Sequence, residues 1–275
     1  MRLRKVCRPG FVILVMVLLG SMYIVGAPSK AYEEDSASGK IIELQAEDRD
    51  ALAVFGRGVV GDALPVKPIT DTARLMPLNE GTWTYRVLAG DHKDANQKDI
   101  IARPKHDKSG RSWRRVVGKK CIEYYRVRNG GKIEIASEVD LVENVITRYT
   151  PMFPVMFDGM RPGEKKEVET DIRVYDLHDP AYEKYRGHLK VTHTYVGAYE
   201  VTVPAGKYQT ILIKSSYTGK VGPASVNDVG YKFYAEDAGI VASVERSHVA
   251  AFLFYDKRTK TQKVLVHKER GRTKG

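Results

Sequence analysis

Residues 199–213 read YEVTVPAGKYQTILI, two β-prone runs joined only by Pro204, Ala205, Gly206 and Lys207. Proline presets φ near the value a turn needs, and glycine alone enters positive φ without strain. Pro-Ala-Gly between two such runs therefore reads as a hairpin bend and not as a reactive loop. The spacing predicts a three-residue hairpin: Pro204 at the second position of a type I turn, Ala205 at the third, and Gly206 left-handed to close it with a bulge. Beyond the bend, YQTILIK is almost continuously apolar, the pattern of a strand covered on both faces.

The same rhythm extends in both directions. From Thr82 onward, short runs rich in Val, Ile, Thr and Tyr alternate with turn residues: TWTYRVLA, SWRRVVG, CIEYYRVR, KIEIAS, ENVITRYT, EVETDIRVYDL, HLKVTHTYV, GYKFYAE, GIVASVER, HVAAFLFYD and TQKVLVH. Asn129-Gly130-Gly131 punctuates one pair, Arg161-Pro162-Gly163-Glu164 another, and Asp256–Lys260 is expected to link the last two. In HLKVTHTYV, Leu189, Val191, His193 and Tyr195 fall on one face. No long 3.6-residue period occurs past residue 80. The expected fold is mainly β: an antiparallel meander forming a curved sheet, half-barrel or barrel-like sandwich, covering residues 81–267.

Residues 32–80 differ. YEEDSASGK is polar and acidic, IIELQAEDRDALAVFG suits one short helix, and Pro65, Pro68 and Pro77 break the stretch between that helix and residue 80. This segment reads as an N-terminal arm or linker. Gly56-Arg57-Gly58-Val59-Val60-Gly61 matches G-x-G-x-x-G, but Pro65 and Pro68 deny it the helix that a dinucleotide fingerprint requires.

At the start of the chain, Arg2, Arg4, Lys5 and Arg8 precede an uncharged run from Phe11 to Val25, followed by Ser29-Lys30-Ala31. A basic region, a short apolar region and small residues at a cleavage position make a secretory signal over residues 1–31, cut after Ala31. The run is shorter than the ~20 residues of a usual spanning helix, which ranks an uncleaved membrane anchor second. Cys7 would leave with the signal, and Cys121, amid apolar and aromatic residues, reads as a small core residue. The expected location is the periplasm or cell envelope.

The net charge of +11 is unevenly placed. Residues 32–255 hold thirty-two charges of each sign, whereas the last twenty carry eight basic residues against Asp256 and Glu269. A neutral body argues against nucleic acid as a partner. The basic tail, residues 268–275, offers a peripheral contact with an anionic membrane surface.

Candidate chemistry is sparse. Met152-Phe153, Met156-Phe157 and Met160 recur at four-residue spacing; three thioethers can hold a soft metal, but Pro154 interrupts the helix this needs, so adaptable packing or the rim of an apolar pocket is the reading kept. Trp113 lies in a basic block with Arg103, Lys105, Lys108, Arg111, Arg114, Arg115, Lys119 and Lys120, a pattern able to hold an anionic headgroup. Asp176-Leu177-His178-Asp179-Pro180 reads as a turn. No nucleophile elbow, Walker loop or Cys-x-x-Cys occurs, and neither a metal nor a cofactor is expected.

EGTWTYRV (80–87), RPGEKKEVET (161–170), YEVTVPAGKYQTILI and GYKFYAEDAGIVASVE (230–245) occur in the order seen in a family of exported bacterial β-proteins of unknown function, which this chain resembles over residues 80–250. Phe233 and Tyr234 stand where that family places a tryptophan, and Ala235–Gly239 replaces its closing turn. The resemblance implies a curved antiparallel sheet loosely similar to half-barrel lipoprotein carriers, and no catalytic residues. The leading expectation is a non-enzymatic envelope protein whose sheet binds an apolar or amphipathic small molecule or a partner protein, with Met152, Phe153, Met156, Phe157 and Trp113 as candidate contacts. The alternatives are a periplasmic glycan hydrolase using a carboxylate pair drawn from Asp176, Asp179, Glu236 and Asp237, or a structural module that assembles through a sheet edge.

Overall fold

The computed structural model describes residues 39–90, 93–105, 107–251 and 255–271; the expected signal, its cleavage site at Ala31 and the last four residues lie outside them. A short helix, α1 (Ala46–Leu52), a strand, β1 (Val60–Leu64), and one helical turn, α2 (Thr72–Leu75), precede twelve longer strands. These are β2 (Gly81–Ala89), β3 (Asn96–Ala102), β4 (Ser112–Val117), β5 (Cys121–Val127), β6 (Ile133–Asp140), β7 (Val145–Pro154), β8 (Lys165–Asp176), β9 (Glu183–Val203), β10 (Gly206–Val221), β11 (Ala224–Ala235), β12 (Gly239–Ala251) and β13 (Tyr255–Arg270).

Each of the twelve pairs antiparallel with the next, and β13 returns to pair with β2. The expected curved sheet is thus a closed up-and-down barrel. Closure removes the exposed edges that an open meander would leave. β1 lies outside the ring, on the stretch of β9 from Ala198 to Val201 that β8 leaves uncovered. The Gly56–Gly61 run feeds this strand, where a dinucleotide fingerprint would feed a helix.

Several local expectations are corrected. HLKVTHTYV and YEVTV are one strand, β9, because the ladder with β10 runs on through Gly197 and Ala198, with Val196 bulged out opposite Leu212 and Ile213. GIVASVER and the start of HVAAFLFYD likewise belong to one strand, β12. Asp256–Lys260 is ladder within β13, not a linker. β3, in the polar-looking NQKDIIA, is not among the expected strands, because Asn, Asp and to a lesser degree Lys are depleted in strands. The Pro204 hairpin is tighter than expected: Val203 pairs directly with Gly206, so the loop is Pro204-Ala205 alone, and Gly206 opens β10 at φ 135°.

Twelve strands enclose more space than side chains from the wall can fill; eight is about the number that fills itself. One end is filled all the same. Trp83, Tyr85, Trp113, Tyr125 and Tyr195 are all buried there, joined by Met76 and Leu78 from the arm and by Met156 and Met160 from the β7–β8 loop. That loop is laced to the arm by hydrogen bonds from Ile69 N to Met160 O and from Gly159 N to Ile69 O. The β9–β10 bend reaches across this floor, where Ala205 N donates to Leu265 O of β13 at 3.1 Å.

The arm also clads the outside of the barrel. Phe55 packs edge-on against Phe233, and the Tyr231 hydroxyl and Lys214 Nζ both donate to Asp48 of α1. Tyr199 donates to Ile42 O on this outer face, while Tyr195 in the floor donates to Lys67 O. Leu212 and Ile213, on opposite faces of β10, are therefore both buried, as the apolar run in the sequence suggests. Elsewhere the outer surface is charged. On β8 and β9, Glu167 pairs with Lys190 at 2.7 Å, and Glu169 and Asp171 flank His188. A lipid-facing barrel carries an apolar band at such positions; β8 and β9 carry ion pairs there instead.

Candidate functional site: the lumen of the barrel

Above the aromatic floor the lumen stays open. It forms a cavity of about 410 Å³ whose lining reaches the last ladder rungs before the hairpins, Val117 with Cys121 and Asp140 with Val145. That size falls in the range of small-molecule sites, roughly 300–1,000 Å³. The antiparallel ladders decide which side chains face in. Cys121, Glu123 and Tyr125 share a face of β5; Glu138 and Asp140 share one of β6; Asp228, Gly230 and Lys232 share one of β11.

The two sides of the cavity differ chemically. Strands β7 to β10, with the start of β11, present Phe153, Ile172, Val174, Leu189, Tyr217 and Val226. This wall has its own small core cluster, separate from the floor. The opposite wall, β4 to β6 with β11 to β13, presents Glu123, Glu138, Lys232, Glu245, Thr259 and Thr261.

Where the polar wall meets the floor, its charges are tied together. The Arg115 guanidinium contacts Asp99 at 2.5 Å and Glu123 at 3.5 Å, and Lys263 reaches Asp99 at 3.3 Å while lying over the Tyr85 ring. Burial opposes ionisation of Asp99, but Lys263 and Arg115 outweigh it and hold the carboxyl below its usual range. Tyr125 donates its hydroxyl to Glu123. Higher up, Lys232 and Glu245 face each other at 3.3 Å. Lys232 holds Glu245 low against burial, and Glu245 in turn raises Lys232 despite burial.

Glu138 is the exception. Its register partner on β5 is Glu123, a like charge directly opposite. Among the described residues no cation lies within ion-pair distance of it. Burial, then the neighbouring Glu123, push its pKa up to about 7, against the pull of a Tyr149 hydroxyl hydrogen bond and of Lys232. Asp228 is raised as well, by burial, although Ser247 and the His248 amide bond to it. The Cys121 thiol, in the same lining, is driven up by burial and then by Glu138 and Glu123, so it is a thiol and not a thiolate.

The residues singled out from sequence are dispersed. Phe153 lines the cavity. Met156 is in the floor, Met152 and Phe157 are half-buried, and the Phe157 ring meets His193 edge-on at 5.7 Å. Trp113 is a floor residue with the Arg103 guanidinium 4.4 Å over its ring; alternation along β4 splits the basic block, sending Arg115 into the lumen. Asp176 and Asp179 are bound up in the β8–β9 turn, where Asp176 accepts from His178 N and contacts Lys184. Glu236 and Asp237 lie at the opposite end of the barrel, paired with Arg74. The two sets cannot meet as one carboxylate pair. Glu123, Glu138, Lys232 and Glu245 were not singled out, because their strands carry mixed residues on both faces and alternation alone gives no inward set.

No protein-family model and no curated protein matches this sequence. Among solved structures the chain is similar to a Bacteroides fragilis protein inferred to be exported and having a YmcC-like fold, at 14% identity over 74% of this chain and 99% of that one, TM-score 0.39. It is similar to a protein inferred to be a lipoprotein from Parabacteroides distasonis, at 14% identity over 74% and 100%, TM-score 0.34. It is also similar to the hypothetical lipoprotein YmcC of Escherichia coli, at 10% identity over 71% and 87%, TM-score 0.38.

Proposed function

We propose that this chain is an exported, non-enzymatic envelope protein whose barrel lumen holds one amphipathic small molecule. The observation that carries the reading is the division of the cavity into an apolar and a charged wall. A barrel serving only as scaffold gains nothing by leaving such a space above a well-filled floor, because empty volume forfeits packing. Gly230 supports the same reading. It faces the cavity from β11, and a Cβ built there would meet only Glu245 Cγ at 3.7 Å and Val244 O at 4.0 Å. Nothing about the backbone demands glycine at this position; what glycine provides is room. Export rests on the basic and apolar leader before Ala31.

A fluorescent apolar probe such as N-phenyl-1-naphthylamine tests this directly. Saturable binding at one site per chain is expected. Gly230→Phe should abolish it while shifting the thermal midpoint little, since the ring enters existing space. Equal binding by the wild type and Gly230→Phe, or no saturable binding by the wild type, would overturn the proposal. Gentle purification and mass spectrometry should then identify the natural occupant.

A further inference from the structure

The lumen does more than accept an apolar body: its charges do not balance. Among the described residues, the lumen-facing charges of the polar wall and the floor below it are Asp99, Glu123, Glu138, Asp228 and Glu245 on one side and Arg115, Lys232 and Lys263 on the other. Arg115 and Lys263 serve Asp99, Arg115 also serves Glu123, and Lys232 serves Glu245. Asp228 is satisfied by the His248 amide and Ser247. Asp140, at the rim, accepts the amides of Val142 and Glu143 in its own turn. Among the described residues, Glu138 alone borders the cavity with a like charge opposite it and a tyrosine hydroxyl as its one partner.

A carboxylate enclosed by a barrel and left without a counter-ion is costly unless it is protonated or a cation arrives. The space beside it is where that cation would come from. We propose that the lumen selects an organic monocation: an ammonium on an apolar chain, its charge against Glu138 and its chain along Phe153, Ile172, Val174, Leu189 and Val226. This rests on the lumen being a small-molecule site. A fatty carboxylate would bring a further negative charge to Glu123, Glu138 and Glu245, and the basic lining residues described are both engaged, Lys232 with Glu245 and Arg246 with Ala51 O. Attraction between unit charges a few ångströms apart in such surroundings far exceeds its value in water.

The groups around Glu138 fix how pH enters. Glu123 faces it from β5, Tyr149 from β7, Lys232 from β11 and Glu245 from β12, with Tyr217 and Cys121 close by. Glu138, pushed up to about 7, is a group that changes charge near neutrality. Cation binding should therefore be strong at pH 8 and weaken toward pH 5, whereas binding of a neutral amphiphile should stay level.

The test compares decyltrimethylammonium, decanol and decanoate, each below its micelle concentration, by calorimetry on the purified protein. At pH 8 the ammonium should bind at least about tenfold more tightly than decanoate, a ratio worth ~1.4 kcal/mol. Glu138→Gln keeps the shape and the tyrosine contact, so it should retain decanol binding and lose the preference for the ammonium. Decanol affinity serves as the check that the variant is folded. If decanol and decanoate bind as well as the ammonium, the cation assignment fails while the lumen site survives. If Glu138→Gln keeps the full preference, the assignment of the charge to Glu138 fails. If none of the three probes binds, both proposals fall.

Discussion

The two halves of the barrel interior are built from the same strands and solve opposite problems. At the floor, β2, β4 and β5 contribute Trp83, Tyr85, Trp113 and Tyr125. The polar atoms of the β2 pair are answered: Trp83 Nε1 donates to Ala238 O at 2.9 Å and the Tyr85 hydroxyl to Ile240 O at 2.9 Å. A few residues along, β4 and β5 place Val117, Cys121 and Glu123 around open space. Large side chains with satisfied polar atoms make stability; small and charged ones around a cavity give some of it up. The floor is where the fold is held, and the lumen is where it can be used.

The largest expected effect tests the floor. Trp83→Ala removes one of the two largest floor side chains and leaves the Ala238 carbonyl without its donor. It should cost about 3–5 kcal/mol, read as the shift in a urea midpoint. Val226→Ala, on the apolar wall of the lumen, borders space already present and should cost roughly 1 kcal/mol by the same comparison. Equal losses at the two sites would mean that the interior is one uniform core.

Next in size is the pH dependence, where two lumen-facing groups act in opposite directions. Glu138 has its folded pKa raised to about 7, so the folded state binds the extra proton and stability falls as pH rises from the free-carboxyl range to about 7. His193 is buried against Ser215 and lowered to about 4 by burial, so the unfolded state binds the extra proton and stability rises from about pH 4 to the free-imidazole range near 6.5. The windows overlap between roughly pH 4.5 and 6.5, and the wild-type profile should be nearly flat there. Glu138→Gln should unmask the rising limb and gain about 1–3 kcal/mol at pH 8. His193→Gln should leave only the falling one. Chemical denaturation at a series of pH values reads all three; a Glu138→Gln profile that matches wild type would remove the uncompensated acid from the description.

Legibility in the sequence divides along the same line. The meander was legible because alternation and turn residues are local signals: Leu189, Val191, His193 and Tyr195 fall on one inward face, as their spacing says. Closure was not, because it depends on β2 meeting β13, about 180 residues away in a chain whose intermediate strands look alike. The charged lumen was hidden for a different reason. Alternation assigns polar residues to the solvent face, yet in CIEYYRV the inward set is Cys121, Glu123 and Tyr125 while Ile122 and Tyr124 lie on the outer face. A strand with mixed residues on both faces has no sequence-level inside until its neighbours are known. The same holds for Lys232, which shares parity with Tyr234.

The smallest effect concerns the bend at the floor, and it separates backbone strain from side-chain loss. Gly206 stands at φ 135°, a conformation that side chains with a Cβ rarely adopt, and a Cβ there would find no close neighbour, with Tyr208 ring atoms no nearer than 3.8 Å. Space is therefore not the constraint; conformation is. Gly206→Val should lower stability by about 1–2 kcal/mol through strain alone. Ala205→Ser, one residue earlier, keeps the amide that donates to Leu265 O and should change stability by less than about 0.5 kcal/mol. Because that amide ties the bend to β13, the loss in Gly206→Val should appear as faster hydrogen exchange at Ala205 and along the ends of β9 and β10, with the lumen strands β5 and β6 unaffected. Equal stabilities for the two variants would show that the bend tolerates a different φ and contributes nothing specific to the floor.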